Sequence, residues 1–165
     1  MSTVVLLLAT LTSGLVAGVY VFDAHTVMPG LGRSSDRTFV AGFQALDRAI
    51  VNPWFMASGF LGAPVLTAVA AVLHLDDAAR EVLVWVVVAL VLDLVTVGIT
   101  VGVNGPANDR LKAAGDADDI DVATVRAEFD EGRWVRWNLV RVVLSVASFG
   151  CLAWALVLAG RLGVR

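Results

Sequence analysis

Cysteine is almost missing from this chain. Cys151 is the only one in 165 residues, so no internal disulfide can form. It sits in an apolar run and reads as a small buried residue. Charge is scarce as well, at 16% of residues with a net charge of -3. No basic stripe or cluster stands out, which excludes a nucleic-acid partner. There is no CxxC pair, HExxH, P-loop or GxSxG, so the usual metal, nucleotide and serine-hydrolase signatures are absent. The acidic "DADDID" lacks the glycine and the final glutamate that a calcium loop requires. No positive segment precedes the first apolar run, and that run is too long for a typical signal-peptide core. It is expected to be a retained span.

What is present is apolar. Hydrophobic residues make up 58% of the chain, above the share of an ordinary soluble domain. Four runs are long enough to cross a bilayer: about 3–22, 54–73, 82–103 and 139–160. Each reaches roughly 30 Å at about 1.5 Å per residue. The expectation is an all-α, four-helix transmembrane bundle forming a single domain over 1–165, an integral, multi-pass protein embedded in lipid. Phe39, Phe43, Leu46 and Ile50 recur at helical spacing, with Ser35 and Asp36 as caps. They predict a short amphipathic helix in the interface between spans one and two. The turn from His74 to Glu81 predicts an antiparallel hairpin. In the longest connection, 104–133, "AAGDADDID" reads as flexible, and a helix resumes from Val122 through Phe129 into span four. Trp54, Trp134 and Trp137 fall at one membrane face, Trp85 and Trp154 nearer the other. The end carrying the two longer loops holds Arg33, Arg37, Arg48, Arg110, Lys112, Arg126, Arg133 and Arg136. The opposite end holds Arg80, Arg161 and Arg165. The positive-inside rule therefore puts the longer loops, 1–2 and 3–4, in the cytoplasm.

Polar residues inside the spans carry the functional information. In span three, Asp93, Thr96, Thr100 and Asn104 share one helical face. A carboxylate at the bilayer centre costs about 2.5–3.5 kcal/mol on insertion scales. Asp93 must therefore be paired or protonated, as the floor of a polar pocket, as part of a proton relay, or as an interhelical hydrogen bond that fixes packing. In span four, Trp134, Asn138, Arg141, Ser145 and Ser148 form a second polar stripe. Arg141 either snorkels to the headgroups or turns inward to a pocket, with Asp23 or Asp93 as partner. In span one, Gly14 and Gly18 form a GxxxG surface that could serve a homodimer as readily as the bundle. His25 is expected on the same face, and Asp23 elsewhere. His25 reads either as a general base or as an interfacial hydrogen-bonding residue. His25, Asn52, Asn104, Asn108, Asn138 and Arg141 all belong to the loop end of their helices. Together they predict a polar mouth over an apolar small-molecule cavity, rimmed by Trp54, Trp134 and Trp137.

Four segments, "GLVAGVYVFDAHTVMPGL", "ALDRAIVNPWF", "NGPANDRL" and "RWVRWNLVR", resemble in order and spacing the anthrone-oxygenase-like family of small four-span membrane proteins. The resemblance covers nearly the whole chain. It implies oxidation of an anthrone to an anthraquinone by molecular oxygen, as in aromatic polyketide pathways. The positions it implies are Asn108 in P-x-N with Asn104 before it, and Trp137, Asn138 and Arg141 in RWNxxR. Asn52, Pro53 and Trp54 match NPWF. This chain has "GPAN" where relatives read more like "VPLN", so Gly105 and Ala107 leave that loop less bulky. His25 maps to no family-wide motif.

Arg141 and Asn108, which the resemblance implies, and His25, which rests on the reading of the residues alone, are the candidate catalytic residues. Asn52, Trp54, Asp93, Asn104, Trp137 and Asn138 are the candidate substrate-binding residues. Arg141, Asn104 and Asn108 would stabilise an oxyanion, and His25 would take the proton. The partner is a hydrophobic small-molecule substrate, and no metal or flavin is required. Two other readings stand beside it. One is a non-enzymatic membrane subunit or a quinone- or lipid-binding protein, in which Asp93 and Arg141 staple helices. The other is a redox protein with haem or metal on His25 as single axial ligand.

Overall fold

The computed structural model describes residues 2–76 and 79–163. Arg165, counted above in the charge balance, lies outside them. All regular structure among the described residues is helical. Four helices are long and apolar enough to cross a membrane: α1 (Ser2–Gly32), α3 (Pro53–Val72), α4 (Arg80–Ala113) and α6 (Glu131–Leu162). Two shorter helices, α2 (Asp36–Ile50) and α5 (Val122–Phe129), lie in the longer connections. Outward-facing Leu7, Leu11, Leu15, Val91, Leu94 and Val95 are exposed, consistent with a multi-pass membrane protein whose lipid-facing surface needs no polar coat.

The four long helices close into a ring. α1 packs on α3 and α6, and α4 packs on the same two. Far from the loop end, Leu6 and Ala9 of α1 meet Ala70 of α3, Val82, Val86 and Ala89 of α4, and Leu152, Ala155 and Ala159 of α6. Small residues there let the backbones approach closely. Thr67 and Ser148 bind this layer to the next. Thr67 Oγ1 donates to Asp93 Oδ2 (3.3 Å), and Ser148 Oγ donates to the Ala89 carbonyl (3.2 Å). At the loop end the core becomes aromatic: Phe39, Phe43, Phe129 and Trp134 stack edge to face around Met28 and Leu111. The periodicity that predicts α2 holds, and Ser35 caps it by accepting from the Thr38 amide. Its Phe39, Val40 and Phe43 face is turned onto the bundle ends.

Three of the sequence expectations need correction here. The first, third and fourth long helices run past the apolar windows, to Gly32, to Ala113 and back to Glu131. Polar residues continue a helix once its inner face has a protein partner. α5 does not run into α6. Asp130 breaks the path in the left-handed region (φ 50, ψ 64), and its Oδ1 caps α6 by accepting from the Arg133 amide. The acidic stretch before α5 is tied down. Gln44 Nε2 donates to the Leu111 and Gly115 carbonyls (2.9 and 3.0 Å), Arg37 pairs with Asp118, and Asp121 caps α5. Gly115, at φ +109, supplies the one backbone turn there that a side chain would strain.

Candidate functional site

Three of the four long helices contain a π turn, and all three lie at the loop end: Asp23–Val27 in α1, Met56–Phe60 in α3 and Thr100–Asn104 in α4. A π turn lets a helix bulge and re-aims its side chains, and such turns gather at functional sites. The sequence accommodates two of them with glycine. A Cβ on Gly62 would stand 2.4 Å from the Ala57 carbonyl oxygen, and one on Gly105 2.8 Å from that of Thr100. Both distances are too short for any other residue without distorting the turn. Within the space bounded by these turns, α2 and α6 lies a cavity of about 230 Å³, somewhat smaller than the usual ligand cleft.

Its wall is mostly apolar, with Met28, Phe43, Ile50, Phe55, Met56 and Phe60 among the lining residues. Its polar groups are Tyr20, Asp23, Asp47, Thr100, Asn108, Asp109, Lys112, Trp134 and Arg141. Arg141 is 5% exposed and held from every side. Its guanidinium lies over the Tyr20 ring (4.7 Å to the centroid) and faces Trp134 (5.4 Å). Nη1 donates to Thr100 Oγ1 (3.2 Å) and Nη2 to Asn138 Oδ1 (2.8 Å). Of five guanidinium N–H donors these contacts use two, and Nε has no partner. The result is a fixed cation with donors to spare.

A second chain of contacts runs along the wall. Trp134 Nε1 donates to Asn108 Oδ1 (2.7 Å), and Asn108 Nδ2 donates to Asp47 Oδ1 (2.6 Å). Lys112 Nζ then pairs with Asp47 Oδ2 (2.6 Å) and Asp109 Oδ1 (3.0 Å). Asn108 accepts from one group and donates to another, so its amide orientation is fixed by its neighbours.

The structure brings Arg141 and Asn108 together on this wall and leaves the other sequence candidates off it. Asn104 and Asn138 stand behind the wall, both 1% exposed. Asn104 Nδ2 donates to the Trp134 carbonyl (3.2 Å), and Asn138 holds Arg141. Asn52 caps α3, its Oδ1 accepting from the Phe55 amide (2.9 Å). Trp54 is 81% exposed and Trp137 is exposed on the outer face of α6, so of the three expected rim tryptophans only Trp134 meets the cavity. Asp93 lies about two helical turns deeper. There it borders a separate 20 Å³ chamber with Ser13, Thr96, Ser145, Tyr20 and Phe60, room for about one water. It does not reach Arg141.

His25 is exposed and lines no part of the cavity, whereas Asp23 does. That reverses the expected orientation of span one. The inner face of α1 is set by Leu6, Ala9, Ser13, Val16 and Tyr20, and Gly14 sits at its edge. Continuing three residues from Tyr20 reaches Asp23. The same spacing rule would have found the missed residues on the other helices: Asp47 lies four past Phe43, and Lys112 four past Asn108.

A family model described as anthrone oxygenase matches residues 53–151, more than half of the chain. The match includes Thr100, Asn108, Lys112, Trp134 and Arg141, and leaves Tyr20, Asp23 and Asp47 outside. No curated protein and no solved structure matches the chain.

Proposed function

The chain belongs to the anthrone oxygenase family, and from that premise we propose that its cavity takes up a hydrophobic aromatic ketone of the anthrone type and oxidises it with molecular oxygen. The observation that carries the reading is Arg141: one buried guanidinium, stacked and hydrogen-bonded but with no carboxylate paired to it among the described residues, in a mostly apolar wall. An aromatic ketone is apolar enough to arrive through the bilayer. Once its methylene proton is lost, the negative charge gathers on the ketone oxygen. A pre-organised cation in a mostly apolar cavity stabilises that oxyanion strongly, because its donors need no reorganisation. Asn108, turned by Trp134 and Asp47, holds the wall beside it.

The electrons balance without a further reagent. The substrate anion passes one electron to oxygen, and the radical pair joins as a peroxide at the methylene carbon. The peroxide takes up a proton. It then loses water as the second C–H bond and the O–O bond break, leaving a new carbonyl. In sum, a CH2 group and O2 give C=O and H2O. The chemistry lies in the substrate anion, and the protein's part is to make that anion at neutral pH. The longer loops face the cytoplasm in this reading, with the cavity mouth on that side.

The experiment is to load the purified, metal-stripped protein in detergent with a simple anthrone under nitrogen, then admit air. The expected result is a bound anion seen by its absorbance, followed by quinone formation faster than in protein-free detergent. Quinone formation no faster than the spontaneous rate would overturn the proposal.

A further inference from the structure

The reading above needs a group that takes the methylene proton, and the exposed His25 stands outside the cavity. Three carboxylates line it: Asp23, Asp47 and Asp109. Asp47 has both oxygens engaged, Oδ1 by Asn108 and Oδ2 by Lys112. Asp109 is paired with the same lysine, and its side chain is 75% exposed. In both, the Lys112 ammonium already occupies the carboxylate. Asp23 differs from both. Among the described residues its side chain has no hydrogen bond and no ion pair, and it is half-buried on an apolar wall. It opens the π turn of α1, one turn beyond the Tyr20 ring that carries Arg141.

We propose that Asp23 is the catalytic base of the oxygenase reaction, removing the methylene proton of an anthrone-type substrate whose oxygen is held by Arg141. This rests on the proposed function. The carboxylate and the guanidinium both line the cavity, and no ion pair joins them among the described residues. An anthrone carries its ketone oxygen and its acidic methylene at opposite positions of the central ring. A ring bound with its oxygen on the cation would turn its C–H toward the opposite side, where the proposal puts the carboxylate. Asp23 takes the proton as the C–H electron pair moves into the ring and onto the oxygen. It returns the proton when the peroxide is formed. Tyr20 and Arg141 face the substrate from the neighbouring wall, and Lys112 stays neutralised by Asp47 and Asp109.

The test compares wild type with Asp23→Asn, Asp23→Glu and His25→Ala, using anthrones of graded acidity and one deuterated at the methylene. The expected loss in Asp23→Asn is roughly 10²–10⁴-fold in turnover, with anaerobic anthrone binding kept. The loss should shrink as the anthrone becomes more acidic, and the deuterium effect should rise. Asp23→Glu should recover part of the rate, and His25→Ala should match wild type. Wild-type turnover in Asp23→Asn would overturn the assignment, as would a loss equal for every anthrone. A wild type that never exceeds the spontaneous rate would instead overturn the functional reading beneath it.

Discussion

Arg141 shows how much one side chain depends on its surroundings. A lone charge inside a membrane bundle is costly. It persists here because two rings and two hydrogen bonds replace its water. The polar stripe of α6 was legible in the sequence, since Trp134, Asn138, Arg141, Ser145 and Ser148 follow helical spacing and all five are buried. Their division of labour was not legible. The same spacing yields Asn138 as a support and Arg141 as a wall group, and only the neighbouring helices separate the two roles. Asn108 is the joint of the second network, so its removal leaves Trp134 Nε1 and Asp47 short of partners. Asn108→Ala is expected to cost about 1–3 kcal/mol, read as a lower Tm in detergent. An unchanged Tm would show that water replaces the amide.

The π turns govern the helical elements. A spacing of 3.6 residues locates the inner face of the third span, which is why Asp93, Thr96 and Asn104 are legible as inward-facing. It carries no sign of where a helix widens. The glycines after two of these turns were present in the sequence, but Gly98 and Gly102 look the same there and meet nothing within 4 Å. Only the backbone distances distinguish Gly105. Gly105→Ala is therefore expected to distort the turn at Thr100, lower the Tm and weaken anthrone binding. Gly98→Ala should leave both unchanged. Equal effects at the two positions would contradict this role for the π turn.

At the scale of the molecule, the bundle has two unlike halves. Small residues close the far end, and the loop end is held open by bulged helices and roofed by α2 and α5. The four spans were legible because apolar length alone decides them. The orientation of span one was not, because its GxxxG pattern suggested a packing face that only half exists. A Cβ on Gly14 would meet the Phe149 ring at 3.0 Å, while Gly18 faces open space. Gly14→Val should thus lower the Tm in dilute detergent, and Gly18→Val should not. Loss of a dimer in Gly18→Val, seen by size-exclusion light scattering, would reveal a second copy on that face. The proposed reaction concentrates in the loop-end cavity. Oxygen uptake with a simple anthrone tests it most directly, comparing the metal-stripped wild type with an Arg141→Ala variant shown to be folded. The prediction is one oxygen consumed per anthrone, well above the spontaneous rate in wild type and lost in the variant. Equal uptake by both proteins would contradict the role given to Arg141 and to the cavity it lines.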